Sequence, residues 1–346
     1  MMSKIISEDN IEHVRKLIEK SEKIIIISHV SPDGDAIGAS LGLFHFLRTI
    51  ENDVTIIVPN AFPSFLSWLK GSKEILIYER YPEFATQLIE MADLLFLLDF
   101  NTIDRIEKMK ECVEKSSAKK VMIDHHPNPT DFCDVVISHP NISSTSELIF
   151  RLVCRMGSFD LISKNCAESI YTGMMTDTGA FTYNSNSADI YFIISQLMKK
   201  GIDKDQIYRN VYNNYSENRI RLMGHVLKEN LVIHKKYATS AIRLSLEDLE
   251  QFHHKIGDTE GLVNIPLTIQ GIVFSVFFRE DKEKIKVSFR SVGNFPANKV
   301  AAECFNGGGH LNAAGGEFIG SLADATSYFE KILPQYTAYF PEGNEM

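Results

Sequence analysis

Thiol chemistry has little to work with in this chain. Five cysteines, Cys112, Cys133, Cys154, Cys166 and Cys304, are scattered over 346 residues with no pair at Cys-x-x-Cys spacing. That argues against a disulfide framework and a thiolate zinc site, and suits a reducing cytoplasm. A basic surplus is also missing: 36 Lys and Arg stand against 45 Asp and Glu, a formal net charge of −9. A protein that coats nucleic acid is thereby excluded. An anionic substrate must instead be caught by local devices such as metals, helix termini or a few arginines. No apolar run approaches the roughly 18 residues of a membrane span, and the first ten residues are charged within a few positions rather than signal-like. A soluble, unprocessed, cytoplasmic protein with no membrane partner is expected. Tandem repeats, low-complexity segments and long blocks of like charge are absent too.

What is there is globular composition, 44% hydrophobic and 23% charged, which at this length predicts two domains with buried cores. The first half alternates short apolar runs with amphipathic stretches. Lys23–Ser28, Asp53–Val58, Leu94–Asp99 and Lys120–Asp124 lack polar alternation, the mark of strands covered on both faces. Helical patterns separate and follow them at 11–20, 36–50, 82–91, 103–116, 144–156 and 164–176. The fold class is α/β: a doubly wound parallel-sheet domain (1–185), a helical connector (186–230) and a smaller mixed α+β domain (231–346). In the last, β-prone stretches at 231–244, 267–278 and 284–290 precede small-residue helices and a glycine cluster.

Chemistry gathers where apolar runs end, which in open α/β sheets is where ligands bind. Ile27-Ser28-His29-Val30-Ser31-Pro32-Asp33-Gly34-Asp35 ends a strand in one imidazole and two carboxylates, with Asp35 placed to cap the next helix. A capped turn with a surface histidine would read the same. The run Leu94–Leu98 stops at Asp99, where a buried charge needs a partner or a metal. Val121-Met122-Ile123-Asp124-His125-His126 offers two imidazoles pointing different ways, one for metal and one for substrate, with Asp124 available to orient a ring. His253-His254, in a polar stretch, reads as a solvated pair. Thr176-Asp177-Thr178-Gly179 follows a helix and is unlike the β-rich setting of an aspartic protease; by itself it is a glycine-stopped helix end. Taken together, His29, Asp33, Asp35, Asp99, His125 and Asp177 form an oxygen-rich set with no thiolate. It suits manganese, magnesium or iron-type cations better than structural zinc, and its size fits two metals sharing a carboxylate.

These four stretches resemble the motifs of the DHH phosphoesterase superfamily, with Asp124-His125-His126 as its eponymous triplet. Val287-Ser288-Phe289-Arg290-Ser291 and Gly307-Gly308-Gly309-His310-Leu311-Asn312-Ala313-Ala314-Gly315-Gly316 resemble the substrate-binding subdomain that accompanies one branch of it. The likeness runs from about Glu22 to Phe318. Size and spacing are most similar to the oligoribonucleases that also dephosphorylate 3′-phosphoadenosine 5′-phosphate. The resemblance implies one metal on His29, Asp33 and Asp99 and another on Asp35, Asp99, His125 and Asp177, with Asp99 bridging. The cofactor it implies is a pair of divalent cations, manganese first, with magnesium, cobalt or iron as alternatives. It also implies that His126 contacts the scissile phosphate, and that Arg290, Ser291, Gly308, Gly309 and His310 hold the nucleotide end. Independently, glycines let backbone N–H groups approach an anion, the Ala-rich stretch after them offers a helix N-terminus, and a guanidinium suits phosphate or a base face.

The function implied is two-metal hydrolysis of short oligoribonucleotides to 5′-mononucleotides and of 3′-phosphoadenosine 5′-phosphate to AMP, the second domain gripping the rest of the substrate. Expected partners are short RNA or a small nucleotide, not long duplexes, with a homodimer by analogy. The alternatives are a phosphodiesterase for cyclic or linear dinucleotides, an exopolyphosphatase, and a nucleotide-binding regulator without turnover. Ser143-Ser144-Thr145 before Glu147 resembles a capping arrangement, although a hydroxyl there could touch phosphate. Phe44, Phe46 and Leu47, with Tyr208, Tyr212 and Tyr215, read as packing rather than base-stacking platforms, and Cys304 as a small buried residue.

Overall fold

A computed structural model describes residues 3–255 and 257–340. The chain divides between Asn214 and Tyr215 into two compact units. In the first, helix α1 (Glu8–Lys20) leads into strand β1 (Lys23–Ser28), then α2 (Gly34–Thr49), β2 (Asp53–Val58), β3 (Leu76–Ile77) and α3 (Pro82–Glu90). Next come β4 (Leu94–Leu98), α4 (Lys110–Lys115), β5 (Lys119–Asp124), β6 (Val135–Ser138), α5 (Thr145–Arg155) and α6 (Lys164–Asp177). The unit closes with α7 (Ala188–Lys199) and α8 (Lys204–Tyr212).

The six strands are parallel in the order β3-β2-β1-β4-β5-β6. Alternate side chains of the apolar strands serve opposite faces. Ile24 and Ile26 join the core built with α1, α2, α5 and α6, whereas Ile25 and Ile27 join the one built with α3 and α4. Chain order reverses between β1 and β4, and the crevice at the carboxyl ends of such strands is the expected ligand site.

Helices α2 and α6 cross backbone to backbone at Gly38 and Gly173. A Cβ on Gly38 would stand 2.7 Å from the Cα and N of Gly173 and from the Ser169 carbonyl. On Gly42 it would stand 2.7 Å from the Ile170 side chain. The first turn of α2 is thereby brought beside the last turn of α6.

The second unit begins with α9 (Glu217–His225), so the segment expected as a connector divides: α7 and α8 bury Ile190, Ile193, Leu197, Ile207 and Val211 in the first unit, and α9 belongs to the second. Its strands are β7 (Leu231–His234), β8 (Thr239–Leu244), β9 (Phe274–Glu280), β10 (Ile285–Ser291), β11 (Gly308–His310) and β12 (Ala313–Phe318). Between them lie α10 (Leu246–Gln251) and α11 (Ala297–Cys304), and α12 (Leu322–Ile332) follows. The sheet order is β11-β12-β10-β9-β8-β7, antiparallel except for β8 with β9. A phenylalanine-rich core (Phe274, Phe278, Phe289, Phe295, Phe305, Phe329) lies under α11 and α12.

The Ala-rich stretch after the glycines is strand β12, not the start of a helix. Small residues are needed there for strand contact rather than helix propensity: a Cβ on Gly316 would meet the Phe305 carbonyl at 2.5 Å, and β12 is hydrogen-bonded on both sides, to β10 and β11. His254 is half-buried and its Nε2 has no hydrogen-bond partner among the described residues, so the His253-His254 pair is solvated only at His253.

Candidate metal centre

Each of the four stretches reaches the switch point from the end of a strand or helix. Strand β1 runs into buried His29, whose Nδ1 lies 2.8 Å from the Val30 carbonyl. A carbonyl only accepts, so the ring proton sits on Nδ1 and the Nε2 lone pair lies 3.4 Å from Asp99 Oδ2. Asp33, rather than Asp35, caps α2: its Oδ1 accepts the amides of Asp35 at 2.9 Å and Ala36 at 3.1 Å. Asp35, two residues further in, directs its carboxylate across to α5. There Oδ2 accepts the Thr145 amide (2.6 Å) and Oδ1 the Ser146 amide (2.9 Å).

Asp99 follows β4 with φ 67, a left-handed conformation costly for most L-residues and held here by its amide's hydrogen bond to the Ile123 carbonyl of β5. Strand β5 ends in Asp124, which is fully buried and accepts twice from His126, from its amide at 3.0 Å and its Nδ1 at 2.7 Å. Asp124 therefore orients His126. His125 turns the other way, Nδ1 against the Ile142 carbonyl at 3.2 Å. Its Nε2 faces Asp177 (3.5 Å), Asp99 (3.6 Å) and Asp35 (3.9 Å).

Two groups of donor atoms result, His29 with Asp33 and Asp99, and Asp35 with His125 and Asp177, each within 4.8 Å. Separations of 3.4–3.9 Å between these atoms are too long for hydrogen bonds. They are close to the roughly 3–4 Å kept by two ligands each about 2.0–2.2 Å from one cation. Oxygen and imidazole donors without a thiolate fit manganese, magnesium or iron. A third group, Asp99, Asp124 and His126, is already joined by the short Asp124–His126 hydrogen bond and does not need a cation.

Charge is overloaded at this point. Burial, then the charges of Asp99 and Asp177, push the Asp35 carboxyl well above its ordinary range. Burial raises Asp177 to about 6 against the pull of His125. For Asp99 burial acts upward, but the nearness of His29 and the charges of His126 and His125 outweigh it and hold the group well below the usual range. His125 is lifted to about 9 because Asp177, Asp99 and Asp35 overcome its desolvation, and His29 is raised for the same kind of reason by Asp99 and Asp33. Divalent cations would supply the missing positive charge.

In the second unit, β-pairing sets Arg290 opposite Ala313 and Ala313 opposite His310. Directly opposed residues share a face, so guanidinium and imidazole lie on one face across three strands, with Gly308 and Gly309 on the edge strand beside them. Ser291 is buried, and its hydroxyl donates to the Phe295 carbonyl (2.7 Å) while accepting from Asn312 Nδ2 (2.8 Å). Asn312 also reaches the Gly293 carbonyl at 3.1 Å. These two residues brace the turn after β10.

Sequence reasoning gives Thr145 a place in a capping arrangement or against phosphate, not beside Asp99, and assigns no role to Ser146 or Gly173. Thr145 Oγ1 donates to Asp99 Oδ1 at 2.9 Å, and a Cβ on Gly173 would press on Ser146 and stand 2.9 Å from Asp35 Oδ1. Gly34, Gly38 and Gly42, spaced by four, were the available sign that another helix backbone comes close.

Residues 23–174 match the model of the DHH family, N-terminal domain, and residues 236–334 that of the DHHA1 domain. The chain is 28% identical over 301 residues to the bifunctional oligoribonuclease and PAP phosphatase NrnA of Bacillus subtilis, covering 87% of this chain and 90% of that one. It is 25% identical over 322 residues to the cyclic-di-AMP phosphodiesterase GdpP of Geobacillus thermodenitrificans, covering 90% of this chain and 46% of that one. A crystal structure of an exopolyphosphatase-related protein from Bacteroides fragilis is 58% identical, with a TM-score of 0.93 and coverage of 98% and 99%.

Proposed function

The chain belongs to the DHH family of phosphoesterases, and from that premise we propose that it hydrolyses short oligoribonucleotides to 5′-mononucleotides and 3′-phosphoadenosine 5′-phosphate to AMP. The observation that carries this reading is the six-donor centre at the switch point together with a DHHA1 unit that sets Arg290 and His310 on one face. Both reactions break the same bond, from phosphorus to the 3′-oxygen of a ribose. Water adds to phosphorus, the 3′-oxygen leaves and takes up a proton, and the products are a 3′-hydroxyl and a phosphate, free or carried on the next 5′-oxygen. One centre therefore serves both substrates.

His29, Asp33 and Asp99 would hold one cation, and Asp35, Asp99, His125 and Asp177 the other, manganese being the preferred ion. Bound there, the pair supplies charge neutralisation and a nucleophile active at neutral pH. His126, its Nδ1 proton held by Asp124, is fixed in orientation to hydrogen-bond the phosphate or protonate the departing 3′-oxygen. Arg290, with the amides of Gly308 and Gly309 and the His310 ring, grips the part of the substrate that does not react, by its phosphate or base. The chain acts in the cytoplasm on this reading.

A panel of a two-nucleotide RNA, 3′-phosphoadenosine 5′-phosphate, a cyclic dinucleotide and polyphosphate, assayed with manganese, tests the proposal. Turnover of the first two is expected, none by Asp99→Ala, and a kcat lower by roughly 10²–10⁴ for His126→Asn with manganese binding retained. Full activity in metal-free protein or in Asp99→Ala, or turnover confined to polyphosphate or the cyclic substrate, overturns it.

A further inference from the structure

The donors that orient the two most buried carboxylates of the centre come from a single turn, Ser143–Ser146. Asp35 accepts the amides of Thr145 and Ser146, one on each oxygen, and Asp99 accepts the Thr145 hydroxyl. A carboxylate offers only acceptors, so the Thr145 O–H is the donor and Asp99 Oδ1 is fixed by it. The turn is itself clamped. Glu147 Oε2 accepts the Ser143 hydroxyl (2.6 Å) and amide (3.2 Å), and Ser144 Oγ accepts the Glu147 amide (3.0 Å). The other Glu147 oxygen is held by Arg151 Nε at 2.8 Å and Nη2 at 2.7 Å. Arg151 is 2% exposed, and its remaining donors reach Asp189 (3.1 Å) and the Ser3 carbonyl (3.0 Å). Glu147, Arg151, Asp189 and Ser3, from three segments, thus brace a turn whose Thr145 and Ser146 donors reach the metal centre.

A buried ion pair gives little net stability compared with an apolar pair of the same shape. The consequence of Glu147 and Arg151 lies in what they hold still. Asp99 is the carboxylate assigned to both cations and already sits in a costly backbone conformation. A carboxylate free to rotate would lose the arrangement in which one oxygen faces His29 and the other His125. We propose that Thr145 is a positioning residue for the bridging carboxylate of Asp99, acting from a turn that Glu147 and Arg151 fix in place. This rests on the reading of Asp35 and Asp99 as metal ligands.

The test uses the full chain with manganese alone as probe, titrated by electron paramagnetic resonance or calorimetry, beside melting without metal and kinetics on a two-nucleotide RNA. Thr145→Val keeps the shape and removes the donor; Thr145→Ser keeps the donor. For Thr145→Val, the metal-free melting temperature is expected to stay with the wild type while the manganese Kd weakens roughly 10–100-fold and kcat falls more than KM rises. Thr145→Ser is expected to restore wild-type affinity, and Glu147→Gln to weaken it in the same direction as Thr145→Val. Wild-type affinity in Thr145→Val overturns the proposal, as does a Thr145→Ser variant as weak as Thr145→Val. Should Glu147→Gln fail to fold, the two Thr145 variants decide. A wild-type chain that binds no manganese overturns the reading of the centre beneath it, an outcome distinct from one in which the wild type binds and Thr145→Val binds equally well.

Discussion

Imidazoles shielded from solvent fall into two kinds among the described residues, and pH separates them. His29 and His125 are buried among carboxylates and are raised, whereas desolvation lowers the half-buried His45 and His139, in His45 against the weaker pull of Glu74. For His45 the desolvation outweighs its hydrogen bond to the Lys70 carbonyl. With a folded value below the unfolded one near 6.5, the unfolded chain binds the proton more readily. The stability His45 contributes is therefore full above about pH 6.5 and is lost as pH falls toward its folded value. Urea midpoints at pH 7.5 and 5.5 should show a smaller acid loss in His45→Gln than in the wild type, since the amide can keep the bond to Lys70. At this scale the candidate donors that the structure brings together stand out in the sequence because His29, Asp99 and His125 follow apolar strands directly, Asp33 and Asp35 lie in the turn after one, and Asp177 ends a helix, places where a charge has no packing reason to be. Thr145 and Ser146 were not legible. Their partner Asp35 is more than a hundred residues away in the chain, and their own spacing to Glu147 already has a local explanation in the helix cap.

Among the elements, the α2–α6 contact governs the geometry of the first unit. Gly38→Ala would drive a methyl group into backbone, which cannot rotate away, so a loss of about 1–3 kcal/mol is expected in urea unfolding, together with weaker manganese binding. Gly224→Ala, in α9 with nothing within 4 Å of the added carbon, should instead stabilise by about 0.5–1 kcal/mol. The four long parallel strands stood out in the sequence because burial on both faces leaves unbroken apolar runs. Strands β3 and β6 did not: β3 is two residues long, and β6, at the sheet edge, buries only alternate residues. The stretch at 103–116 reads as one helix by its apolar spacing, yet it is a 3₁₀ segment, Ile103–Met109, kinked at Glu107 (φ 43), followed by the short α4. In β12 the small residues that resemble a helix start serve close strand contact, which composition alone does not distinguish.

For the whole molecule, a net charge of −9 opposes a long polyanion at every phosphate, while a short one meets mainly the centre that neutralises it. At fixed salt, kcat/KM on RNAs of two to five nucleotides should exceed that on a 24-mer by roughly tenfold or more; equal values would remove charge as the selector of length. Among the described residues, no helix is long and apolar enough to cross a membrane. The meeting of α2 and α6 backbone to backbone has a consequence for ion choice. Side chains between two helices act as springs, and where Gly38 crosses Gly173 there are none, so that crossing, which sets the span between the first turn of α2 and the last turn of α6, has few soft coordinates with which to widen. A cavity that cannot dilate discriminates by ionic radius. Calcium, which needs about 2.3–2.6 Å to each oxygen, should bind more weakly than manganese and leave the dinucleotide uncut, and Gly38→Ala, by loosening that contact, should narrow the gap between the two ions' affinities.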